Sequence, residues 1–437
     1  MTGSQPRLLR VVGLAGLTAI ALNGVIGAGI FSLPATVYAL AGAASPIAYL
    51  VAAVLMALVV ACFAEAGSRS DETGGPYLYA RDAFGDFVGF LVGWLFLLTR
   101  AVATAAIANT FVAYLGSVVP ALATSPGRFA AITVAIGGLA AINVYGVRAA
   151  SSTVNLLTIA KLIPLLVFVG VGLAFVEPGR VALLGLPSGS LRQAALPLVF
   201  AYGGFENANV PTEEAVDPRR HLPVALLTTI AAVAVLYILI QVVAQSVLPG
   251  LATSETPLAS AAGAMMGAPG GWLLTAAAIV ATLGSISAVI LVGPRVLYAF
   301  ARHGQLPAGL AAIHPRYHSP HRAVIAFAVL TWAAAVSGGF AQLVSLSAVS
   351  RLLFSAIICL AVPILRRRRE LPPRFVLPGG PVIPLLAVAL SIWLLTGVSR
   401  AQAMAGGIGI LAGLVVYAGH RWLWPELQRS PGRPPRE

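Results

Sequence analysis

Four charged side chains fall inside long apolar stretches of the sequence, where a charge is costly and is a functional hypothesis by default. They are Arg100, Lys161, Glu206 and Arg351. Lys161 is the only lysine among the 27 lysines and arginines of the chain. Because a desolvated lysine can release its proton and an arginine cannot, a lone lysine fits a proton-coupling site. The alternative is a lysine whose amine extends to the cytoplasmic headgroups.

Glu206 could take up a proton, contact a cationic substrate or serve as a fixed partner of Arg100, and the residues alone leave these roles open. Arg100 and Arg351 are interpreted as members of gating or packing ion pairs, because buried charges are usually paired. Glu65 lies at the inner end of the second apolar stretch. We expect it to be solvated or to cap its helix.

The composition excludes several classes of protein. Hydrophobic residues make up 59% of the 437 and charged residues 9%, with a mean hydropathy of +0.92. A soluble domain has about 25% charged residues, so a disordered chain, a nucleic-acid-binding domain and an ordinary soluble enzyme are excluded. The six histidines fall in predicted loops or at span ends, and the two cysteines lack metal-site spacing. No catalytic site, metal or cofactor is therefore predicted.

Twelve apolar stretches have the roughly 20 residues that a membrane-crossing helix needs, which predicts an all-α polytopic membrane protein. The first runs from Val11 to about Leu40, too long for a signal peptide, and is interpreted as a retained span. Most basic residues fall on the side of the N-terminus. The opposite loops hold only Arg128, Arg180, Arg192 and Arg400. This bias predicts that both termini are cytoplasmic.

The first and sixth stretches carry mid-span glycines followed shortly by a proline, in segments 21–34 and 200–211. Each glycine weakens a helix by up to about 1 kcal/mol, and unwound backbone inside a membrane is tolerated where it lines a cavity. Close packing of small residues is the alternative. Five spans separate the two segments, so they enter from opposite faces, as in an inverted five-plus-five repeat. Freed N–H groups favour a carboxylate and freed carbonyls an ammonium, which makes an amino acid the natural substrate.

Segments 24–31, 74–79, 213–223 and 302–307 resemble, in order, motifs of the amino acid–polyamine–organocation (APC) superfamily, of the bacterial amino acid permease type. The resemblance implies a LeuT-like fold with 12 transmembrane helices, of which helices 1 and 6 are broken. It places one repeat at about 11–177, the second at about 193–369, two further helices at about 381–424 and a cytoplasmic tail at 425–437.

The resemblance also implies roles for individual residues. Lys161 takes the place of the sodium ion of sodium-coupled relatives, which implies proton-coupled, sodium-independent transport. Phe200 is expected to close over the substrate, Gly203 to leave room for the substrate's side chain, and Ser285 to touch Lys161 or the substrate. The lack of an aromatic residue at Val289 weakens an arginine-exchange interpretation. The implied substrate contacts are Ile26, Gly27, Ala28, Gly29, Phe200, Gly203, Gly204 and Glu206.

The sequence thus predicts a secondary transporter of amino acids in a lipid bilayer, with the proton as coupling ion and no nucleic-acid partner. An amino acid exchanger and a polyamine or organic amine transporter of the same fold are the alternatives, and a sensor without flux is a further one. The compact loops indicate the inner membrane of a bacterium.

Overall fold

The regular structure is helical throughout the described part of the chain. The structure is a computed structural model that describes residues 13–69, 75–145, 150–180, 188–209, 216–302, 304–317, 319–368 and 375–423. Besides short 3-10 turns, these residues form fourteen α-helices: α1 Leu14–Val25, α2 Ala28–Ala41, α3 Ser45–Gly67, α4 Pro76–Phe84, α5 Asp86–Val118, α6 Ser125–Tyr145, α7 Ala150–Gly172, α8 Ser188–Ala201, α9 Pro218–Val247, α10 Pro257–Arg302, α11 His321–Ser337, α12 Phe340–Arg366, α13 Val382–Leu395 and α14 Arg400–Leu423.

Seven helical segments of the described residues are long and apolar enough to cross a membrane. They are 28–67, 86–118, 125–145, 219–247, 257–302, 340–366 and 400–419. Shorter apolar helices cover 14–25, 160–175, 321–337 and 382–395. The prediction of an all-α polytopic membrane protein is confirmed, and the count of twelve crossings stays a prediction.

The 33-residue helix α5 lies at the centre of the bundle, where it packs against α10, α11 and α12. Helix α14 lies at the periphery and exposes Met404, Ile408 and Leu411. Such exposure suits a bilayer, because lipid tails are as apolar as these side chains. The indole N–H of Trp94 donates to the Gly409 carbonyl at 2.8 Å and ties α14 to α5.

Candidate functional site

The first helix is interrupted between Val25, where α1 ends, and Ala28, where α2 begins. The backbone N–H of Ile26 still bonds the Leu22 carbonyl at 2.9 Å, and that of Gly27 bonds the Val25 carbonyl at 2.8 Å. Beyond these bonds, the break leaves carbonyls at the end of α1 and N–H groups in the first turn of α2 without helical partners. The break is buried in the protein.

A second break follows α8, which ends at Ala201 and leads through a turn into a 3-10 helix at Phe205–Asn209. The turn holds Gly204 at φ +111°, a conformation that only glycine adopts without strain. A Cβ atom on Gly204 would collide with the Gly24 carbonyl oxygen, and a Cβ on Gly24 with the Gly204 carbonyl oxygen. A Cβ on Gly29 would lie 2.7 Å from the Ala201 Cα. The glycines therefore let the two breaks pack backbone against backbone.

Lys161 of α7 reaches the first break. Its side chain is buried, and its Nζ donates to the carbonyl oxygens of Asn23 at 2.8 Å and Ile26 at 2.5 Å. A cation at the C-terminal end of a helix is favoured by the helix dipole. The interpretation of a lysine extending to the headgroups is wrong, because the amine is bound inside the protein. The hydroxyl of Tyr237 donates to the Val25 carbonyl at 3.0 Å.

The second break carries a cluster of three charges. Glu206 is fully buried, and its carboxylate accepts a hydrogen bond from Arg351 of α12. Arg100 of α5 forms an ion pair with the same carboxylate, with its Nη2 3.6 Å from Oε2. The backbone N–H of Gly204 also donates to Oε2, at 2.8 Å. The structure thus brings together three residues that the sequence singled out, and the ion pair of Glu206 with Arg100 is one of the roles that the sequence left open.

Gly203 does not leave room for a substrate side chain. A Cβ atom at this position would collide with the guanidinium of Arg351, so Arg351 already fills the space beside the glycine. The expectation of extra room is wrong, because the sequence could not show which distant side chain faces Gly203. The guanidinium of Arg100 lies over the ring of Phe96, 4.7 Å from its centroid.

A cavity of about 40 Å³ lies between the two breaks, here called the central cavity. Of the predicted substrate contacts, Gly27, Ala28, Gly29, Phe200, Gly203 and Gly204 line it, together with Ser285, Arg100 and Arg351. Ile26, Glu206 and Lys161 are not among its lining residues. Asn23 and Asn207 line the cavity, and no signal in the sequence marked them out.

Several buried polar atoms around the central cavity have no hydrogen-bond partner among the described residues. They are Nε and Nη2 of Arg100, Nε of Arg351, Oγ of Ser285 and Oδ1 of Asn207. Buried polar groups are usually satisfied, so unsatisfied ones call for an explanation such as an absent ligand. The contact expected between Ser285 and Lys161 is not among the hydrogen bonds of Lys161, whose described acceptors are the two backbone carbonyls.

A larger cavity of about 580 Å³, here called the vestibule, is lined by Ser32, Thr36, Asn109, Thr110, Arg128, Glu255 and Phe340, among others. Phe340 lines the vestibule and Phe200 lines the central cavity. Their rings meet edge to face, with centroids 6.4 Å apart. The ring pair therefore stands between the two cavities.

The expectation that Glu65 is solvated or caps its helix is also wrong. Its carboxylate is fully buried and pairs with Arg69 at 3.0 Å and with Arg366 at 2.6 Å. It also accepts the backbone N–H of Leu377 at 2.9 Å. Glu65 is therefore neither solvated nor a cap; it ties α3 to the end of α12 and to the segment before α13. The i,i+4 spacing of Glu65 and Arg69 was the signal that could have suggested this.

Comparisons with known proteins agree with the prediction of an amino acid transporter. Residues 12–411 match the amino acid permease family. The chain is 27% identical to the methylthioribose transporter of Bacillus subtilis, over 94% of this chain and 93% of that protein. It is 26% identical to the branched-chain amino acid permease BcaP of the same organism, over 95% and 94%. The serine/threonine exchanger SteT, also from Bacillus subtilis, is 28% identical over 94% and 97%.

These relatives are transporters and permeases, so the chain is a transport protein and not an enzyme. The match covers nearly the whole chain, including both helix breaks and the four charged residues of the apolar stretches. The protein therefore belongs to the amino acid permease family of the APC superfamily.

Proposed function

We propose that the protein is a secondary active transporter that moves amino acids across the membrane by alternating access, coupled to protons and independent of sodium. The observation that carries this proposal is the pair of abutting helix breaks with Lys161 bound to the carbonyls of one of them. The N–H groups at the start of α2 suit the substrate's carboxylate. Carbonyls at the end of α8 suit its amine.

The packing of the helices supports an inverted five-plus-five repeat. In this proposal the first repeat contains α1/α2, α3, α5, α6 and α7, and the second contains α8 to α12. Four helix contacts have a counterpart five spans further along the chain: α1–α7 matches α8–α12, α3–α8 matches α9–α1, α5–α12 matches α10–α7, and α5–α11 matches α10–α6. Such exchange is expected of a two-fold relation between repeats. Helices α13 and α14 then complete the twelve spans.

The orientation belongs to the same proposal. With both termini in the cytoplasm of a bacterial inner membrane, the vestibule opens to the outside, because it is lined by the end of α5 and by the connections after α9 and α11. The Glu65–Arg366 pair then lies at the closed cytoplasmic side. This arrangement corresponds to a transporter that receives substrate from outside, with Phe200 and Phe340 as the outer gate.

We assign proton coupling to Lys161. A sodium ion would need oxygen ligands at the first break, and two of the carbonyls there already bind the lysine amine. Loss of the proton would weaken both bonds and free the carbonyls, which links protonation to the shape of the break. Glu206 is the second candidate, but both arginines hold its carboxylate and it does not line the central cavity.

Lys161→Ala in proteoliposomes tests this assignment. We expect wild-type uptake to rise when the outside is acidic and to be unaffected by sodium. The variant loses this dependence on the proton gradient. A variant that keeps full gradient-driven uptake would overturn the role of Lys161. Arg180→Gln is the control, because it removes an ion pair with Glu177 and a hydrogen bond to the Ser246 carbonyl and leaves Lys161 and the charge cluster unchanged.

Exchange of one amino acid for another is the second candidate function, favoured by the 28% identity to the serine/threonine exchanger. Uptake that needs amino acid inside the vesicle, and no proton gradient, would select it. Transport of polyamines is disfavoured, because the one acidic side chain of the predicted site, Glu206, is bound by two arginines.

A further inference from the structure

The charges around the central cavity do not balance. Among the described residues, Arg100 and Arg351 share a single carboxylate, that of Glu206. Lys161 lies outside the lining of this cavity and is bound to two carbonyls of the first break. Two positive charges therefore face one negative charge in a buried cluster. Buried charge without a counter-charge is costly, so the site favours a ligand that is itself negative.

Within the described part of the chain, Arg100 carries two donor atoms that lack a hydrogen bond. Its Nε and Nη2 have no hydrogen-bond partner among the described residues, although the side chain is only 4% exposed and lines the cavity. The ring of Phe96 lies against its guanidinium and limits its movement. A guanidinium offers donors in a planar fork that matches a carboxylate, which an ammonium does not. Arg351 donates directly to Glu206, and of its buried donor atoms only Nε lacks a hydrogen bond to a described residue. Arg100 lacks such bonds at both Nε and Nη2, and its Nη2 lies 3.6 Å from the Glu206 carboxylate, so Arg100 has more donors to offer a ligand.

We propose that the transported amino acid carries a second carboxylate on its side chain, as aspartate and glutamate do, and that Arg100 binds it. This rests on the proposed function of amino acid transport. A neutral amino acid brings no net charge and leaves the excess in place. A dicarboxylic amino acid brings one negative charge, while its main-chain carboxylate and amine still meet the two helix breaks. A basic amino acid would add to the excess.

The position of Arg100 supports a contact with the side chain of the substrate and not with its main chain. Gly27, Ala28 and Gly29 line the cavity from the break in α1/α2, and the first turn of α2, which begins at Ala28, supplies N–H groups without helical partners. Arg100 comes from α5 and lies beside the second break, at Glu206. The two anion-binding features therefore belong to different walls of one cavity, and this cavity must widen beyond its about 40 Å³ to admit a ligand with two carboxylates.

The test compares pairs of amino acids that differ in one charge. Uptake of labelled glutamate, glutamine, aspartate, asparagine and lysine is measured in proteoliposomes carrying the full chain. We expect glutamate or aspartate to be taken up at least about tenfold better than its amide, since hydrogen bonds to charged groups contribute at that scale. Equal uptake of acid and amide would overturn the proposal of an acidic substrate and leave amino acid transport standing. No uptake of any amino acid would overturn both.

Variants then test the residue. Arg100→Gln should lower uptake of the acidic amino acid by about tenfold to a hundredfold more than uptake of the amide, so that the ratio of acid to amide uptake falls by that factor. Arg100→Lys keeps the positive charge but lacks the planar pair of donors, so its uptake of the acidic amino acid should lie between those of the wild type and of Arg100→Gln. The control Arg180→Gln should leave the ratio of acid to amide unchanged. If Arg100→Gln fails to fold, the ratio of acid to amide uptake by the wild-type protein still tests the proposal of an acidic substrate. An equal loss for acid and amide would make Arg100 a structural partner of Glu206 only.

Discussion

Replacing Glu206 with glutamine removes the one negative charge of the buried cluster. The charge of Arg100, Glu206 and Arg351 together then rises from +1 to +2, while all three side chains stay buried. Removing one partner of a buried ion pair costs about 3–5 kcal/mol, because the remaining charge is left unpaired. Here two guanidinium groups lose their shared carboxylate. We therefore expect E206Q to be less stable by at least that amount.

Thermal unfolding of the purified protein in detergent measures this effect. At about 2 °C per kcal/mol, the lower end of the range for larger domains, the melting temperature should fall by about 6–10 °C. The double variant E206Q/R351Q restores the cluster charge to +1. It should recover part of the loss, and the double-mutant cycle measures the coupling between the two residues.

The result for E206Q separates two accounts of the cluster. A melting temperature equal to that of the wild type would mean that the ion pairs of Glu206 contribute no net stability, and the reasoning from buried charge would be refuted. A double variant that is less stable than E206Q would contradict only the argument from the net charge of the cluster. Added glutamate should raise the melting temperature of E206Q, because it supplies a carboxylate to Arg100.

Three further changes have defined outcomes. Gly29→Ala places a Cβ 2.7 Å from the Ala201 Cα. Because that contact is with backbone, the two breaks must separate, and we expect uptake to fall about a hundredfold. Gly137→Ala is the control and should leave uptake unchanged, because its Cβ meets nothing within 4 Å. Glu65→Gln weakens the bonds to Arg69 and Arg366 and should lower stability by about 1–3 kcal/mol, measured as a lower melting temperature; an unchanged value would contradict its structural role. Lys161→Arg keeps a fixed charge that cannot be released, so substrate binding measured by thermal shift should survive while gradient-driven uptake is lost.

The sequence located the helix breaks and the buried charges because both are local signals. Glycines with a following proline interrupt a helix wherever they stand, and a lone lysine in an apolar stretch is visible without a structure. Arg100 was one candidate partner of Glu206, but the sequence could not place the two side chains near each other or bring Arg351 to them. Arg100, Glu206 and Arg351 lie on three elements that are distant in the chain, and only the packing of α5 and α12 brings them together.

The same reason explains the wrong expectations. Gly203 was expected to leave room, but the space belongs to Arg351, whose position depends on long-range packing. Glu65 was placed in solvent because it ends a helix, yet the segment around Leu377 covers it. The hydrogen bond from the Tyr237 hydroxyl to the first break could not be predicted from the sequence. A tyrosine in an apolar helix is usually interpreted as a packing residue.

The central claim is that this chain carries amino acids with a proton gradient as the driving force. The most direct measurement is uptake of labelled amino acids into proteoliposomes that hold no internal amino acid, under an inward proton gradient, an inward sodium gradient or neither. We expect accumulation that the proton gradient drives, that sodium does not change and that a protonophore abolishes. Uptake that is equal in all three conditions, or that requires sodium, would contradict it.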